Sequence, residues 1–591
     1  MKGWSTLLGC ILIASSLNAN PEPGATPRQQ TFFELYQTNR EEGIPNYITQ
    51  DFLLLGYSLV RRATLNELET QHLLPRLRTV LDALDAALDG DIESPAAKAN
   101  REFIEILQAL LYDSTEVDSK RAQTELDLIL AAQGIVSSPL WGMRIDYSRF
   151  RPRGRYTQNA ELGAYFRTMA YASAVLFAIQ ESRATGLDAT MADRHLAQAL
   201  ALAEILQQAP LAESYRALND ALRWQFGAGD DLRLNDLLAL AKRNEDMPAR
   251  RQSLLEYARM HQRQPIILDG VIDVSQLEPG VTAQDVLTGW RLLPLRYTPD
   301  SAALQQLVYD RVGLYQGDCA GCPRPTSLVI LNGQPVKGFP SAMELMALLG
   351  SQRADEIVKQ RRDDQYQGYP QALRAAQDNL NASQGLSGAQ LALLQTGFAA
   401  APADAKRLQA LLGFWTWQRY LGVLYSKQSS SPSSKGLQIP QPRSGAKIEP
   451  ATALYRALGV LVGEHQKYTP DPRWDEFANI LAGCARASEK MDRGERLSAE
   501  DQAFLNALDK ALLTLVGQPD QPIVVDVHTN AATQEVLQEG VGFAAIVVSE
   551  GRRGARFTHY EFRWPLAQRL TDEEFTALLR AERVPGSSEN Q

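Results

Sequence analysis

The sequence predicts a mainly α-helical protein: a multi-helix body with a mid-chain β-hairpin and a small antiparallel β-sheet near the C-terminus. Apolar residues recur at three- and four-residue spacing through most of the chain, which is typical of helices buried along one side. Strand-like stretches instead flank the Asn332-Gly333 pair, a strong hairpin-turn signal, and return after residue 520. No repeat of fixed period stands out, so we expect one helical body with two β insertions.

Changes in composition divide the chain into segments. In order, these are a signal peptide (1–19), an N-terminal linker (20–31), a helical region (32–264), a mixed strand and loop segment with a CxxC motif and the hairpin (265–340), a second helical region (341–427), a flexible Ser/Pro-rich loop (428–449), a third helical region (450–518), and a small β-sheet with a capped helix and tail (519–591). In the last segment, QPIVVDVHTN, FAAIVVSE and GARFTHYEFRWP are strand candidates, and Thr571 and Glu574 have capping-box spacing.

The N-terminal stretch MKGWSTLLGCILIASSLNAN has the pattern of a secretory signal peptide. Lys2 precedes an apolar run, and small and polar residues follow, so cleavage is expected after Ala19. The LLGC sequence resembles a lipoprotein box, but Cys10 comes too early for lipidation. No later run reaches the roughly 18–20 apolar residues of a membrane span. We therefore expect a protein of the periplasm or of the secreted fraction, with no membrane span.

The charge balance makes nucleic acid an unsuitable partner. The 591 residues contain 60 Lys and Arg against 69 Asp and Glu, a formal net charge of −9. Such a chain has no general positive field that would attract a phosphate backbone.

The remaining cysteines are Cys319 and Cys322, in DCAGCP, and Cys484, which stands alone. In an oxidising compartment the close pair favours a small-loop disulfide. Redox and metal-binding roles remain open alternatives. However, Gly and Pro residues surround the pair, and no second CxxC or paired His completes a zinc site. We expect no metal and no cofactor.

Common catalytic motifs are absent: there is no phosphate loop, no GxSxG elbow, no HExxH and no EF-hand loop. The C-terminal strands carry the more interesting residues. Asp526 and His528 are two residues apart, as are His559 and Glu561, so each pair would share one face of a strand. If the strands pair, the four side chains could bind a metal or act as acid and base. Alternatively, the carboxylates accept hydrogen bonds and the histidines lie at the rim of the sheet.

The stretch DYSRFRPRGRYT (146–157), here called the arginine ribbon, places an arginine at every second position from 149 to 155. One interpretation is structural: Arg153 is buried against a carboxylate, with aromatic rings beside it, while Arg149 and Arg151 face solvent. The alternative is that Arg153 and Arg155 bind a phosphate, a sulfate or an acidic glycan.

Several segments together resemble one bacterial family, the domain of unknown function 3160, over nearly the whole mature chain in order. These segments are FFELYQTNREEGIPNYITQDFLLLGY (32–57), the arginine ribbon with ELGAYFRTMAY, LRYTPDSAALQQLVYDRVG (295–313), MELMALLGSQRADEI (343–357), LLGFWTWQRYLGVLYSKQS (411–429), and VVDVHTNAATQEVLQEGVG with FTHYEFRWPLAQRLTDEEF (524–575). The resemblance implies a mostly helical, exported or surface-exposed bacterial protein, and it implies no particular activity.

The chain departs from the family pattern at several polar positions. The family tends to have histidines after the aspartate that corresponds to Asp51, a histidine at Arg155, and a Glu and a His-Asp pair where this chain has Trp417, Tyr420 and Leu421. His528 matches the pattern, whereas an aromatic residue is more usual at His559. If those polar residues form a site in relatives, this member has lost most of it.

These observations favour an exported helical binding or scaffolding protein of the bacterial envelope, whose partner is a protein or an envelope polymer. The alternative is a secreted hydrolase acting on an envelope polymer or peptide. Its candidate catalytic residues are Asp51, Asp526, His528, His559 and Glu561.

Overall fold

The computed structural model describes residues 29–88, 94–241, 246–317, 325, 327–331, 333–429, 447–549 and 552–584. The expected signal peptide, Cys319 and Cys322, and residues 430–446 of the expected Ser/Pro-rich loop lie outside this part of the chain. Within it the architecture is mainly helical with several small sheets, which confirms the fold class.

Helices make up most of the described chain. Those of the first half are α1 (Phe32–Glu41), α2 (Gln50–Glu67), α3 (Leu74–Leu88), α4 (Pro95–Leu111), α5 (Lys120–Ala131), α6 (Ala160–Ala174), α7 (Ala189–Leu206), α8 (Leu211–Phe226), α9 (Leu234–Ala241), α10 (Met247–Met260) and α11 (Ala283–Val286). Those of the second half are α12 (Pro299–Gln306), α13 (Tyr309–Val312), α14 (Ala342–Leu348), α15 (Gln352–Arg361), α16 (Tyr369–Asn381), α17 (Gly385–Ala400), α18 (Ala405–Leu421), α19 (Thr452–Tyr468), α20 (Pro472–Asp492), α21 (Ala499–Val516) and α22 (Asp572–Arg580).

The strands are short until the C-terminal region. They are β1 (Tyr47–Ile48), β2 (Ile135–Ser137), β3 (Arg144–Asp146), β4 (Phe177–Ala178), β5 (Gly289–Trp290), β6 (Leu328–Leu331), β7 (Gln334–Lys337), β8 (Lys447–Ile448), β9 (Ile523–Asn530), β10 (Glu535–Val541), β11 (Ala545–Ser549), β12 (Arg552–Arg556) and β13 (His559–Pro565). The predicted mid-chain hairpin is confirmed as the antiparallel pair β6–β7. Short strands also occur inside the first helical region, and α12 and α13 lie inside the mixed segment.

Side-chain caps explain where several helices begin. The hydroxyl of Thr31 accepts a hydrogen bond from the backbone of Glu34 in a capping box at the start of α1. Thr571 and Glu574 form the capping box expected before the last helix, α22. Each cap satisfies backbone N–H groups that have no partner within the helix, which favours starting the helix at that residue.

Two helices form the centre of the body. Helices α2 and α18 pack against each other, and each is buried along almost its whole length. Burial of this extent requires packing partners on every side of each helix. Helix α2 then continues through a π-helical turn (Leu68–Leu73) into α3. The surrounding helices thus enclose α2 and α18 in one continuous apolar core that extends from Phe32 to Phe557.

The C-terminal sheet has the strand order β13–β10–β9, and all its pairs are antiparallel. The small antiparallel sheet is therefore confirmed, but its central strand β10 was not among the strand candidates. The FAAIVVSE stretch contributes β11 instead, which pairs with β12 in a separate hairpin. In β10 the sequence EVLQEGV has two glutamates and a glycine, which weakens the strand signal.

Candidate functional site

The central strand β10 separates the two predicted His–carboxylate pairs. Asp526 and His528 lie on β9, and His559 and Glu561 lie on β13, so both pairs face β10 and not each other. Strands are about 4.8 Å apart, so the outer two are separated by roughly 10 Å. The alternative in which all four side chains converge is therefore not the arrangement in the structure.

A bulge in β9 also separates Asp526 from His528. Asp526 lies opposite Gln538 and His528 lies opposite Leu537, with a register shift between these two partners. Because Gln538 and Leu537 are consecutive on β10, their side chains point to opposite faces of the sheet. The two-residue spacing suggested a shared face, but the inserted Val527 removes that relationship.

Asp526 is the acceptor of a buried ion-pair network. Its carboxylate lies 2.9 Å from the guanidinium of Arg153 and 2.6 Å from that of Arg569, and it accepts a 2.8 Å hydrogen bond from Gln538. Arg569 also pairs with Asp146 at 2.8 Å. Burial opposes ionisation, but Arg153 and Arg569 hold the pKa of Asp526 below its usual range. Asp526 is thus a permanent anion with all its partners inside the protein.

His528 lies on the other face of the sheet in an apolar setting. Its Nδ1 is 3.1 Å from the Ser429 hydroxyl, and the Phe339 ring is 5.5 Å from its own ring. Burial lowers the pKa of His528 well below its usual range. The imidazole is therefore neutral and is held as a packing group.

Strands β10 and β13 together form a buried acid cluster. One of its members, Glu539, was not among the residues predicted from the sequence. Glu539 of β10 lies opposite Glu561, and His559 Nε2 is 2.9 Å from the Glu539 carboxylate. The Ala342 N–H at the start of α14 donates to Glu561 at 2.8 Å, and Arg361 lies 3.9 Å from the same group. Glu539 could only have been found by recognising β10 as a strand paired with β13.

Burial controls ionisation in this cluster. It raises the pKa of Glu539 well above its usual range. Burial, together with the repulsion that would arise if Glu539 and Glu561 were both ionised, raises the pKa of Glu561 to about 8. Burial also lowers the pKa of His559 to about 4. Near neutral pH the cluster thus holds protonated carboxyl groups beside a neutral imidazole. Such a set has the chemistry of a general acid and base, provided that a substrate can reach it.

Asp51 connects the N-terminal part of the body to the C-terminal strands. Its carboxylate is 3.4 Å from the guanidinium of Arg556 and accepts a 3.0 Å hydrogen bond from the backbone of Phe557. Burial raises the pKa of Asp51 to about 7, against the attraction of Arg556. These contacts hold the start of α2 against the end of β12.

Solvent access decides between catalytic and structural roles for these residues. All five candidate catalytic residues are at most 5% exposed. None of them lines any of the principal cavities in the described part of the chain. Within the described part of the chain, these residues therefore serve in packing and pairing.

The outer arginines of the ribbon are paired as well. Arg149 lies 3.1 Å from Asp269, and Arg151 lies 2.7 Å from Glu574 while donating to the backbone carbonyl of Arg569. The side chain of Arg149 is only 25% exposed and that of Arg151 is 35% exposed. The expectation that both face solvent is wrong for Arg149, because the distant segment around Asp269 packs over it.

The inner arginines are almost completely buried. Arg153 pairs with Asp526, as described above, and Arg155 forms a bidentate ion pair with Glu69 in the π-helical turn. Tyr156 and Tyr425 donate their hydroxyls to the same Glu69 carboxylate. The structure thus places Arg153 and Arg155, the predicted ligand-binding residues, in internal ion pairs.

A cavity of about 100 Å³ lies beside the ribbon and is here called the ribbon pocket. Both apolar and polar side chains line it. The apolar lining residues are Trp141, Met143, Leu176, Leu268, Val271 and Leu287, and the polar ones are Asp146, Arg149, Asp269, Gln428, Thr529 and Arg569. A neighbouring cavity of about 20 Å³, which shares Arg149 and Gln428 with it, is lined by Arg153 and has room for little more than a water molecule.

A family model described as "Protein of unknown function (DUF3160)" matches residues 24–589, nearly the whole chain. The chain belongs to this family. No curated protein and no solved structure matches it. The family assignment confirms the resemblance drawn from the sequence, and it adds no activity to it.

In this DUF3160 member, the positions that depart from the family pattern are filled by packed side chains. A Cβ added to Gly154, next to Arg155, would lie 2.9 Å from the Tyr420 ring, so the ribbon contacts α18 directly. Tyr420 packs on Trp417 with ring centroids 5.4 Å apart and donates a 2.7 Å hydrogen bond to Asp572. The region is therefore occupied by aromatic rings and internal hydrogen bonds.

Two further properties of the DUF3160 member concern only the described residues. Among them, no group of three or more His, Cys, Asp or Glu side chains is arranged to hold a metal ion. None of their helices combines the length and the hydropathy that crossing a bilayer requires.

Proposed function

We propose that this DUF3160 member is an exported binding protein of the bacterial envelope, and that its ligand occupies the ribbon pocket. The observation that supports this most is a contrast in accessibility. The acid and base candidates are buried in internal contacts, whereas the ribbon pocket is a cavity lined by charged groups that other side chains hold in place. Polar groups that are already held in place favour binding, because the ligand does not have to order their side chains and so less conformational entropy is lost.

The lining of the pocket indicates the kind of ligand. Arg149 and Asp269 pair at 3.1 Å in its lining, and Thr529 and Gln428 add uncharged hydrogen-bonding groups. Apolar side chains, among them Trp141, also line the pocket. An apolar cavity of about 150 Å³ in another protein holds a benzene molecule. We therefore expect a ligand, or one group of a partner protein or envelope polymer, with a small apolar body and a polar end.

Export is part of the proposal and rests on the sequence. The signal-peptide pattern of residues 1–19 supports it, and cleavage after Ala19 would start the mature protein at Asn20. N-terminal sequencing of the protein from the periplasm or the medium checks this. A protein that stays inside the cell with Met1 intact would contradict the location.

The secreted-hydrolase alternative would use the Glu539, His559 and Glu561 cluster, which has suitable chemistry. It requires an opening that exposes side chains which are at most 5% exposed. Incubation of the protein with a labelled envelope polymer distinguishes the two functions. We expect binding without products; products that disappear in a Glu561→Gln variant would instead establish the hydrolase.

A pocket-filling variant tests the binding function. Small-molecule fractions from the envelope are screened by thermal shift, since a ligand that binds only the folded state raises the melting temperature. We expect Val271→Trp, in the pocket wall, to abolish the shift. Val274→Trp, 51% exposed and outside the pocket, is the matched control and keeps it. A shift that survives in Val271→Trp places the ligand elsewhere.

A further inference from the structure

The largest of the principal cavities is an open cleft of about 350 Å³, far from the arginine ribbon in sequence. Five arginines line it: Arg216, Arg223, Arg233, Arg291 and Arg296. We call it the arginine cleft. Its volume lies within the roughly 300–1,000 Å³ range of small-molecule sites. The formal net charge of the whole chain is −9, so this local positive charge is opposite in sign to that of the protein.

Helix α8 builds one wall of the cleft through its periodicity. Four lining residues share one face of this helix, because Asn219, Asp220 and Arg223 lie three, four and seven residues after Arg216. Arg216 and Arg223 are exposed. Within the described part of the chain, their guanidinium groups form no ion pair or hydrogen bond.

The opposite wall comes from the segment after β5. Arg296 is only 4% exposed, and its Nη2 donates to Asn219 Oδ1 at 2.9 Å, which connects this segment to α8. The Nε of Arg296 has no hydrogen-bond partner among the described residues.

The positive charge of the cleft is only partly neutralised. Asp231 is the buried carboxylate of the lining, and it already lies 3.1 Å from both Arg291 and Lys427. In the described region, Asp220 is the one other carboxylate of the lining, and it forms no ion pair. Its single negative charge faces the positive charges of four arginines: Arg216, Arg223, Arg233 and Arg296.

The arginines of the cleft also repel one another. The pKa of Arg296 is lowered to about 10, mainly by burial. The positive charge of Arg223 lowers it further in the same direction. The pKa of Arg233 is lowered by partial burial and by the charges of Arg263 and Arg223. An anion placed among these groups would relieve the repulsion.

We propose that the arginine cleft binds an oligo-anion, a ligand with two or more phosphate or carboxylate groups. Guanidinium groups match both oxyanions because they donate parallel hydrogen bonds in a fixed fork. Exposed arginines from α8 and from the start of α9 stand around a buried, incompletely bonded Arg296, so the ligand contacts both walls. The apolar floor, which includes Leu232, Leu238 and Pro294, accommodates the uncharged body of the ligand.

This site is separate from the ribbon pocket, so the two proposals can fail independently. Isothermal titration of the mature protein uses three probes: inorganic pyrophosphate, an oligogalacturonate and neutral maltotriose. We expect salt-sensitive binding of pyrophosphate, of the oligogalacturonate, or of both, and none of maltotriose. Binding of only one anion identifies phosphate or carboxylate as the preferred group.

Variants locate the site. Arg223→Gln and Arg233→Gln should each weaken binding about tenfold, the usual effect of losing a charge-assisted hydrogen bond. Because both arginines are exposed, the melting temperature without ligand should not change. Arg486→Gln, which replaces an exposed arginine of α20 outside the cleft, is the matched control and should bind like the wild type.

Three results would overturn the proposal. The first is that neither anion binds. The second is that maltotriose binds as well as the anions do. The third is that the Arg223→Gln and Arg233→Gln variants retain wild-type affinity while the protein binds an anion, which would place that anion at another surface.

Discussion

The guanidinium group of Arg153 lies 2.9 Å from the carboxylate of Asp526, and both side chains are at most 5% exposed. This pair joins the arginine ribbon to the C-terminal sheet across more than half of the chain. Breaking a buried pair leaves an uncompensated charge, which costs on the order of 3–5 kcal/mol. Typical domains have only about 5–15 kcal/mol of stability, so the contact matters for the whole fold.

Arg153→Ala should therefore lower the free energy of unfolding by about 3 kcal/mol, the lower end of that range, because Arg569 still neutralises Asp526. Arg151→Ala is the control: its ion pair with Glu574 is partly exposed and should contribute at most about 1 kcal/mol. Denaturant unfolding of both variants measures the difference. An unchanged Arg153→Ala protein would show that the ribbon is not a structural element.

The acid cluster predicts a pH dependence of stability. The pKa of Glu561 rises from 4.5 to about 8 on folding, so the folded state retains a proton that the unfolded chain loses. Stability from this group is complete below about pH 4.5 and is lost as the pH rises towards 8. The lowered pKa of His559 acts in the opposite direction, but only below its ordinary value of 6.5.

Between pH 6.5 and 8, then, the melting temperature of the wild type should fall, and Glu561→Gln should fall less because its amide is neutral throughout. Glu476→Gln, an exposed position on α20, is the control and should follow the wild type. Thermal melts across this interval provide the measurement. Parallel curves for the wild type and Glu561→Gln would mean that Glu561 ionises normally in the fold.

We expect alanine substitutions at two helical glycines to change the stability of the protein in opposite directions. A Cβ on Gly413 of α18 would lie 2.8 Å from the Cβ of the buried Phe557 and closer still to its ring. We expect Gly413→Ala to destabilise the protein by about 1–3 kcal/mol, the cost of overpacking. Gly459 of α19 has nothing within 4 Å of such a Cβ, so Gly459→Ala should stabilise by roughly 0.5–1 kcal/mol. Equal effects in denaturant titrations would contradict this contrast.

The cysteines predict a simple labelling pattern. Cys484 is fully buried and burial raises its thiol pKa, so it should resist alkylation in the native protein and react once the protein is denatured. If Cys319 and Cys322 form the expected disulfide, they react only after reduction. Mass spectrometry of the labelled peptides reads out each site. Label on Cys319 or Cys322 without reductant would exclude the disulfide.

The helical body was predictable from sequence because its signals are local. Capping residues such as Thr571, the glycine turn of the β6–β7 hairpin and the spacing of apolar residues act within a few positions of one another. The resemblance to the family depended on similarly short segments. These features determine where elements begin, and the capping box at Thr571 and the β6–β7 hairpin lie where the sequence predicts them.

The arrangement of the acid and base candidates was not predictable in the same way. Strand β10 has a weak sequence signal, and it decides which side chains meet, so Glu539 was missed as the neighbour of Glu561 and His559. The inserted Val527 changes the face of one residue without any mark in the sequence pattern. Pairing and register depend on contacts between distant segments, and a single sequence does not contain them.

The arginine cleft shows an intermediate case. The spacing of Arg216, Asn219, Asp220 and Arg223 is local information that places them on one polar face of α8. Nothing in that pattern indicates that Arg233 and Arg296, from two other segments, stand opposite this face. A polar helix face is usually only solvated, so the signal becomes informative only together with the fold.

The contacts of α1 have a consequence for how the protein is made. The backbone N–H groups of Phe32 and Phe33 donate to Asp520, 488 and 487 residues further along the chain. At a synthesis rate of about 5–20 residues per second, roughly 25–100 s pass before that partner exists. During this time the ring of Phe32 can pack on Phe52 but not on Phe557, its second aromatic partner. The N-terminal part of the core therefore stays incomplete until translation is nearly finished. If the protein is exported as we propose, this late closure of the core keeps the chain in the unfolded state that a narrow export channel requires.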